Sequence, residues 1–165
     1  SWPFSVPSTW SWDRLTAESP SWLKLERRVR FSDTDAAGVV HFQHILGWCH
    51  QAWEESLEQY GITTDKIFPG GRQSDPKIAL PIVHCEAVFQ APLRTGDLIQ
   101  VVLEPKRIDL GCFEVLSRFR LADQQVAQGR LRHIAINAQS RSRCELPGEL
   151  ERWLEASCVG QINPL

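Results

Sequence analysis

Two carboxylates, Asp33 and Asp35, stand in the stretch Arg30-Phe31-Ser32-Asp33-Thr34-Asp35-Ala36-Ala37-Gly38-Val39-Val40-His41-Phe42, where an alternating pattern gives way to a helical one. A carboxylate placed there lies beside the N-terminus of a helix, whose first N–H groups have no intrahelical acceptor and whose dipole favours negative charge. Such N–H groups polarise a carbonyl held against them, while the carboxylate adds to that carbonyl or activates a water. The chemistry is acyl transfer. Asp33 and Asp35 flank Thr34 and are not expected to act as a close pair: one is expected to cap or orient the loop and the other to face the reaction. The small residues Ala36-Ala37-Gly38 let a substrate approach the backbone.

Other hydrolytic arrangements fit less well. No Gly-x-Ser-x-Gly elbow occurs. A Cys49 nucleophile would need His50 as its base, and neighbours in a helix project about 100° apart. His41 and His44 share a helix face, but His50 does not follow at a matching turn, so no metal site is expected. His41 is expected near the pocket, with His44 and His50 packed or in solvent. A lone carboxylate is too little to hydrolyse an amide, whose nitrogen must be protonated to leave. A thioester instead releases a thiol with a pKa of about 8.5, which departs as thiolate with little acid help. Thioester hydrolysis therefore suits so sparse a site.

Specific elements must position these groups. Leu25, Val29 and Phe31 alternate with Lys24, Glu26, Arg28 and Arg30, which predicts a half-buried strand ending at the carboxylate loop. Phe42, Ile45 or Leu46, Cys49, Trp53, Leu57 and Tyr60 recur at helical spacing before Gly61, predicting a helix over about 43–60, roughly 27 Å long. Gly47, Ala52 and Ser56 are small and predict close approach of a sheet. Residues 61–77 are turn-rich. Ile78 to Phe89, Leu98 to Leu103, Cys112 to Leu121 and Val126 to Asn137 read as strands. Turns separate them at Pro92–Asp97, Asp109–Gly111 and Ala122–Gln125, and Pro147 begins a short last helix. The order predicts an α+β domain with antiparallel strands around one long helix.

The length of 165 residues and 42% hydrophobic content support one domain, expected over 23–157. Before it, a Trp-rich arm at 1–22 (Trp2, Trp10, Trp12, Trp22) is expected to dock on the domain or on a partner subunit. A short tail occupies 158–165. A net charge of −2 gives no global reason to expect nucleic acid or an anionic membrane. No apolar run approaches the roughly 18 residues of a spanning helix and no signal-peptide pattern occurs, so the cytoplasm is the expected compartment. The five scattered cysteines lack a C-x-x-C pair and read as reduced thiols. Lys106, Arg107, Arg118, Arg120, Arg130, Arg132, Arg141 and Arg143 crowd the C-terminal half, either as a solvated face or, gathered together, as a phosphate site.

The segment Phe31-Ser32-Asp33-Thr34-Asp35-Ala36-Ala37-Gly38-Val39-Val40 resembles the F-x-D-x-D-x-x-G-x-V signature of hotdog-fold acyl-CoA thioesterases of the 4-hydroxybenzoyl-CoA thioesterase type. The likeness continues through Pro81-Ile82-Val83, the Pro92–Asp97 turn and Leu146-Pro147. It implies a hotdog fold, Asp35 as nucleophile or general base, and the backbone N–H of Phe42 as the carbonyl-polarising donor. N–H groups around Val40 to Phe42 would then meet the oxyanion, with Gly38, Val39, Val40 and His41 beside the acyl group. By the same resemblance Arg141 and Arg143 contact coenzyme A phosphates, and no separate cofactor is needed because coenzyme A is part of the substrate. With Cys49-His50-Gln51-Ala52-Trp53-Glu54 added, the chain is most similar to the family branch acting on 1,4-dihydroxy-2-naphthoyl-CoA in cyanobacterial phylloquinone synthesis. An aromatic acyl group would be flanked by Phe42, His41 and Trp48. The alternatives are 4-hydroxybenzoyl-CoA, a short-chain acyl-CoA, or acyl-CoA binding without turnover. The resemblance also implies homodimers with joined sheets and sites between subunits, often paired into tetramers.

Overall fold

Alternation carries Leu25 and Val29 inward, and the chain there forms β1 (Lys24–Arg28). A computed structural model describes residues 19–70 and 75–157, so the arm's Trp2, Trp10 and Trp12 and the tail at 158–165 lie outside the described residues. The alternation does not reach Phe31. A 3₁₀ turn at Phe31–Asp33 follows β1 and leaves Phe31 82% exposed, correcting its expected place on the buried side.

The long helix, α1 (Gln43–Tyr60), ends where expected: Gly61 takes φ 111° and its N–H donates to the Leu57 and Glu58 carbonyls. Beyond it come β2 (Ile78–Ala79), β3 (Ile82–Phe89), β4 (Leu98–Asp109), β5 (Cys112–Leu121), β6 (Gln124–Ile134), β7 (Ile136–Asn137) and α2 (Gly148–Ser157). Pro81 has no N–H to give a ladder, and it splits the expected Ile78-to-Phe89 strand in two. β2 pairs with β7 in a small second sheet, while β3 joins the main one.

The main sheet is antiparallel in the order β1-β4-β5-β6-β3. It curves around α1, giving the hotdog arrangement. Ile45, Cys49, Ala52, Trp53, Ser56 and Leu57 of the helix are buried, and the main sheet contributes Val101, Leu103, Phe113, Val115, Phe119 and Leu131 to the same core. Trp153 of α2 donates its indole N–H to Ser56 Oγ at 3.1 Å, fixing the second helix to the first. Trp22, the described end of the arm, donates to Ser157 Oγ at 2.9 Å and packs edge-on against Tyr60. That end of the arm docks on the domain.

Ala52 and Ser56 face the core as expected, but Gly47 lies on an exposed side of α1 with open space around a Cβ position. The close approach is made from the sheet by Gly129, where an added Cβ would stand 2.5 Å from Cys49 Sγ. Gly129→Ala should therefore destabilise the fold by about 1–3 kcal/mol through overpacking. Urea unfolding checks it, and adding Cys49→Ala to make room should return most of that loss.

Candidate active site

The carboxylate loop is built by its own side chains. Asp33 Oδ2 accepts the Arg30 N–H at 2.8 Å, and Thr34 Oγ1 donates to the Phe31 carbonyl at 2.7 Å, which together close the 3₁₀ turn. A second turn follows, in which Asp35 N–H donates to Val39 O at 3.0 Å and Gly38 N–H to Asp35 O at 2.9 Å. Gly38 has φ +77°, a conformation that only glycine takes at low cost. Asp35 Oδ1 accepts the Ala37 N–H at 2.8 Å. Its other oxygen has no partner among the described residues, and the side chain is exposed. Asp33 thus holds the loop, while Asp35 faces outward.

Five N–H groups run from Val40 into the first turn of α1. Val40 donates to Leu93 O at 2.8 Å, His41 to Asp33 O at 2.9 Å, Gln43 to His41 Nδ1 at 3.3 Å and His44 to His41 O at 3.1 Å. Only the Phe42 N–H lacks an acceptor among the described residues. Of the N–H groups expected to serve as donors around Val40 to Phe42, those of Val40 and His41 are thus spent on backbone carbonyls, and that of Phe42 stays free among the described residues, at the position where α1 begins with φ −53° and no side-chain cap. Gly38, Val39 and Val40 connect Asp35 to this donor along the chain. The His41 ring lies tilted against Phe42, centroids 4.3 Å apart, and its Nδ1 accepts the Gln43 N–H.

Other candidates fall into structural places. His44 Nδ1 lies 3.9 Å from Asp33 Oδ1, and His50 Nδ1 lies 2.6 Å from Glu54. Trp48 is buried between His44 and Phe119, as a core residue. Burial pushes the Cys49 thiol up to about 12, which disarms it as a nucleophile. Among the described residues no three His, Cys, Asp or Glu side chains gather as a metal-ligand set.

His133 is not among the residues singled out in the sequence. It is fully buried, stacks on Phe113 at 4.9 Å and lies against Trp53 at 4.5 Å. Its Nδ1–H donates to Leu80 O at 3.0 Å, and burial lowers its pKa to about 4, so the ring is neutral at pH 7. An alternating strand pattern marks such a histidine as inward-facing but says nothing of its neighbours.

Five basic residues of the C-terminal half are paired with acids. Arg118 pairs with Glu104, Arg130 and Arg132 with Glu114, Arg120 with Asp123, and Arg107 with Glu151. Arg141 and Arg143 sit in the loop that returns to β7, where Ile136 bridges Arg143 and the Arg143 guanidinium lies 4.0 Å from Asp109. Asp109 ends β4, whereas the carboxylate loop meets the other end: Gly96 N–H donates to Val29 O, and Asp97 O accepts the Val29 N–H. β4 has 12 residues, roughly 36 Å from end to end. One chain therefore does not bring Arg141 and Arg143 to Asp35.

A family model of the thioesterase-like superfamily matches residues 29–154. A 1,4-dihydroxy-2-naphthoyl-CoA hydrolase from Synechococcus sp. (strain CC9902) is 62% identical over 144 residues, covering 87% of this chain and 97% of the relative. The protein of the same name from Synechococcus sp. (strain CC9605) is 59% identical, covering 89% and 99%. Among solved structures, a 1,4-dihydroxy-2-naphthoyl-CoA thioesterase from Synechocystis superposes with a TM-score of 0.73 at 30% identity, covering 80% of this chain and 94% of its own.

Proposed function

Since the chain belongs to the thioesterase-like superfamily, we propose that it hydrolyses an aromatic acyl-CoA, 1,4-dihydroxy-2-naphthoyl-CoA, with Asp35 driving the reaction. It is a hydrolase of CoA thioesters, as its relatives are. The observation that carries the site assignment is the pairing of a carboxylate oxygen left free at Asp35 with an unclaimed N–H at Phe42. The thioester carbonyl oxygen rests against the Phe42 N–H, where the helix dipole adds to the hydrogen bond. Asp35 then either adds to the carbonyl carbon, giving a mixed anhydride that water opens, or takes a proton from the water that adds. In both routes the C–S bond breaks, coenzyme A leaves as thiolate and picks up a proton from solvent, and the acyl group leaves as carboxylate.

A homodimer through β3 is part of this reading. β3 is a free edge of the main sheet, and it exposes Ile82, Val83 and Phe89. Antiparallel pairing of β3 with its copy about a two-fold axis sets the carboxylate-loop end of one sheet beside the Arg141–Arg143 end of the other. Such a dimer supplies Arg141 and Arg143 to coenzyme A from across the interface. We place the enzyme in the cytosol, in phylloquinone synthesis. No described helix is long and apolar enough to cross a membrane, and Cys49, Cys85, Cys112 and Cys144 are free thiols.

Thiol release from naphthoyl, benzoyl and short aliphatic CoA thioesters tests the substrate class. The dihydroxynaphthoyl thioester should show the highest kcat/KM. Faster cleavage of the aliphatic thioesters would refute the aromatic assignment, and binding without thiol release would refute hydrolysis.

A further inference from the structure

We infer that Arg94, with Arg28 and Arg30 beside it, forms a phosphate-binding corner on the same subunit as Asp35, which holds the nucleotide end of the thioester's carrier. The inference rests on the thioesterase reading above. Three segments are stitched together here. Val29 exchanges hydrogen bonds with the turn at Gly96 and Asp97, 2.8 and 2.9 Å long, and Val40 N–H donates to Leu93 O. The Arg94 N–H is held by Asp97 Oδ2 at 2.8 Å, which fixes the turn from which its side chain departs. That side chain lies along the carboxylate loop: a Cβ on Gly38 would stand 3.9 Å from Arg94 Nη1.

Arg28 is drawn to the same place, since its Nη1 donates to the Gly96 carbonyl at 2.8 Å. Arg30 is the next outward residue, one turn before Asp33. All three are exposed. None has a carboxylate within 4 Å among the described residues, because Asp33 and Asp97 spend an oxygen each on backbone N–H groups. The arginines of β4, β5 and β6 each meet an acid. In a chain of net charge −2, three guanidinium groups left without acids beside the reacting loop are suited to an anionic ligand. The substrate brings such anions in the phosphates of coenzyme A. The acyl group becomes an anion only on release, as a carboxylate, so phosphate and carboxylate are the two sources to separate.

Arg94→Gln in the full chain separates them. KM for the naphthoyl-CoA thioester should rise about tenfold with kcat little changed, the loss of one charge-assisted contact. KM for the matching naphthoyl-pantetheine thioester, which has no phosphate, should change less than twofold. Arg94→Lys should recover part of the loss, and raised salt should weaken the wild type toward the variant. Equal effects on both thioesters, or no effect on either, would overturn the inference. So would a variant in which only inhibition by the free naphthoate changes, because the corner would then hold the product carboxylate. If the wild type released no thiol from any CoA thioester, the preceding functional reading would fail instead.

Discussion

Asp35→Asn should lower kcat for the naphthoyl thioester by about a thousandfold or more while leaving the fold intact. The size follows from the role: removing a positioned base or nucleophile costs about 10²–10⁴ in rate, and an amide can neither take up a proton nor add to the carbonyl. Structure should survive because Asn keeps an oxygen for the Ala37 N–H, the one contact that Asp35 Oδ1 makes at 2.8 Å. The Asp35–Gly38 turn is otherwise closed by backbone bonds alone. Thermal unfolding should be unmoved, and KM should change little, since the lost interaction acts on the transition state. Asp33→Ala is the contrast. That residue closes the 3₁₀ turn through Arg30 and lies near His44, so its loss should appear as weaker stability with a smaller loss of turnover. Full activity in Asp35→Asn would end the assignment.

What could be read from the chain, and what could not, follows the distance over which each feature is encoded. α1 was legible to the residue because its apolar spacing and Gly61 stop are local. The different settings of Asp33 and Asp35 were not legible from their two-residue spacing, which in an extended chain sets both on one side; the 3₁₀ turn that ties Asp33 to the Arg30 N–H separates them. Phe31 was misplaced because alternation persists across a backbone that has already left the strand, turned by Asp33 capping Arg30. The capture of the Val40 N–H by Leu93 joins segments more than fifty residues apart, and no local pattern announces it. The basic run misled for the same reason. Glu104 and Glu114, which neutralise Arg118, Arg130 and Arg132, are brought in by cross-strand register and not by sequence order. The distance between Arg143 and Asp35 was hidden until the strand order put them at opposite ends of β4.

Phe42→Pro should cost about 10²–10³ in kcat, the loss expected for one oxyanion donor. Proline is a nearly surgical change here. Phe42 has φ −53°, inside the range that the ring imposes, and it stands where α1 begins, so no intrahelical bond is lost. Its N–H has no acceptor among the described residues, and His41 before it is outside the helix, as the residue preceding a proline prefers. Helix content and thermal midpoint should therefore stay near those of the wild type while turnover falls. The side chain is lost as well, and Phe42→Ala accounts for that: it keeps the N–H and removes a ring that is 68% exposed. It should lose affinity for the aromatic acyl group more than turnover. A folded Phe42→Pro enzyme with kcat within a few-fold of Phe42→Ala would show that the carbonyl is polarised elsewhere. A fall in kcat confined to the proline variant would tie the rate to a single peptide N–H, which the Leu93 and Asp33 carbonyls leave as the one free donor by claiming those of Val40 and His41.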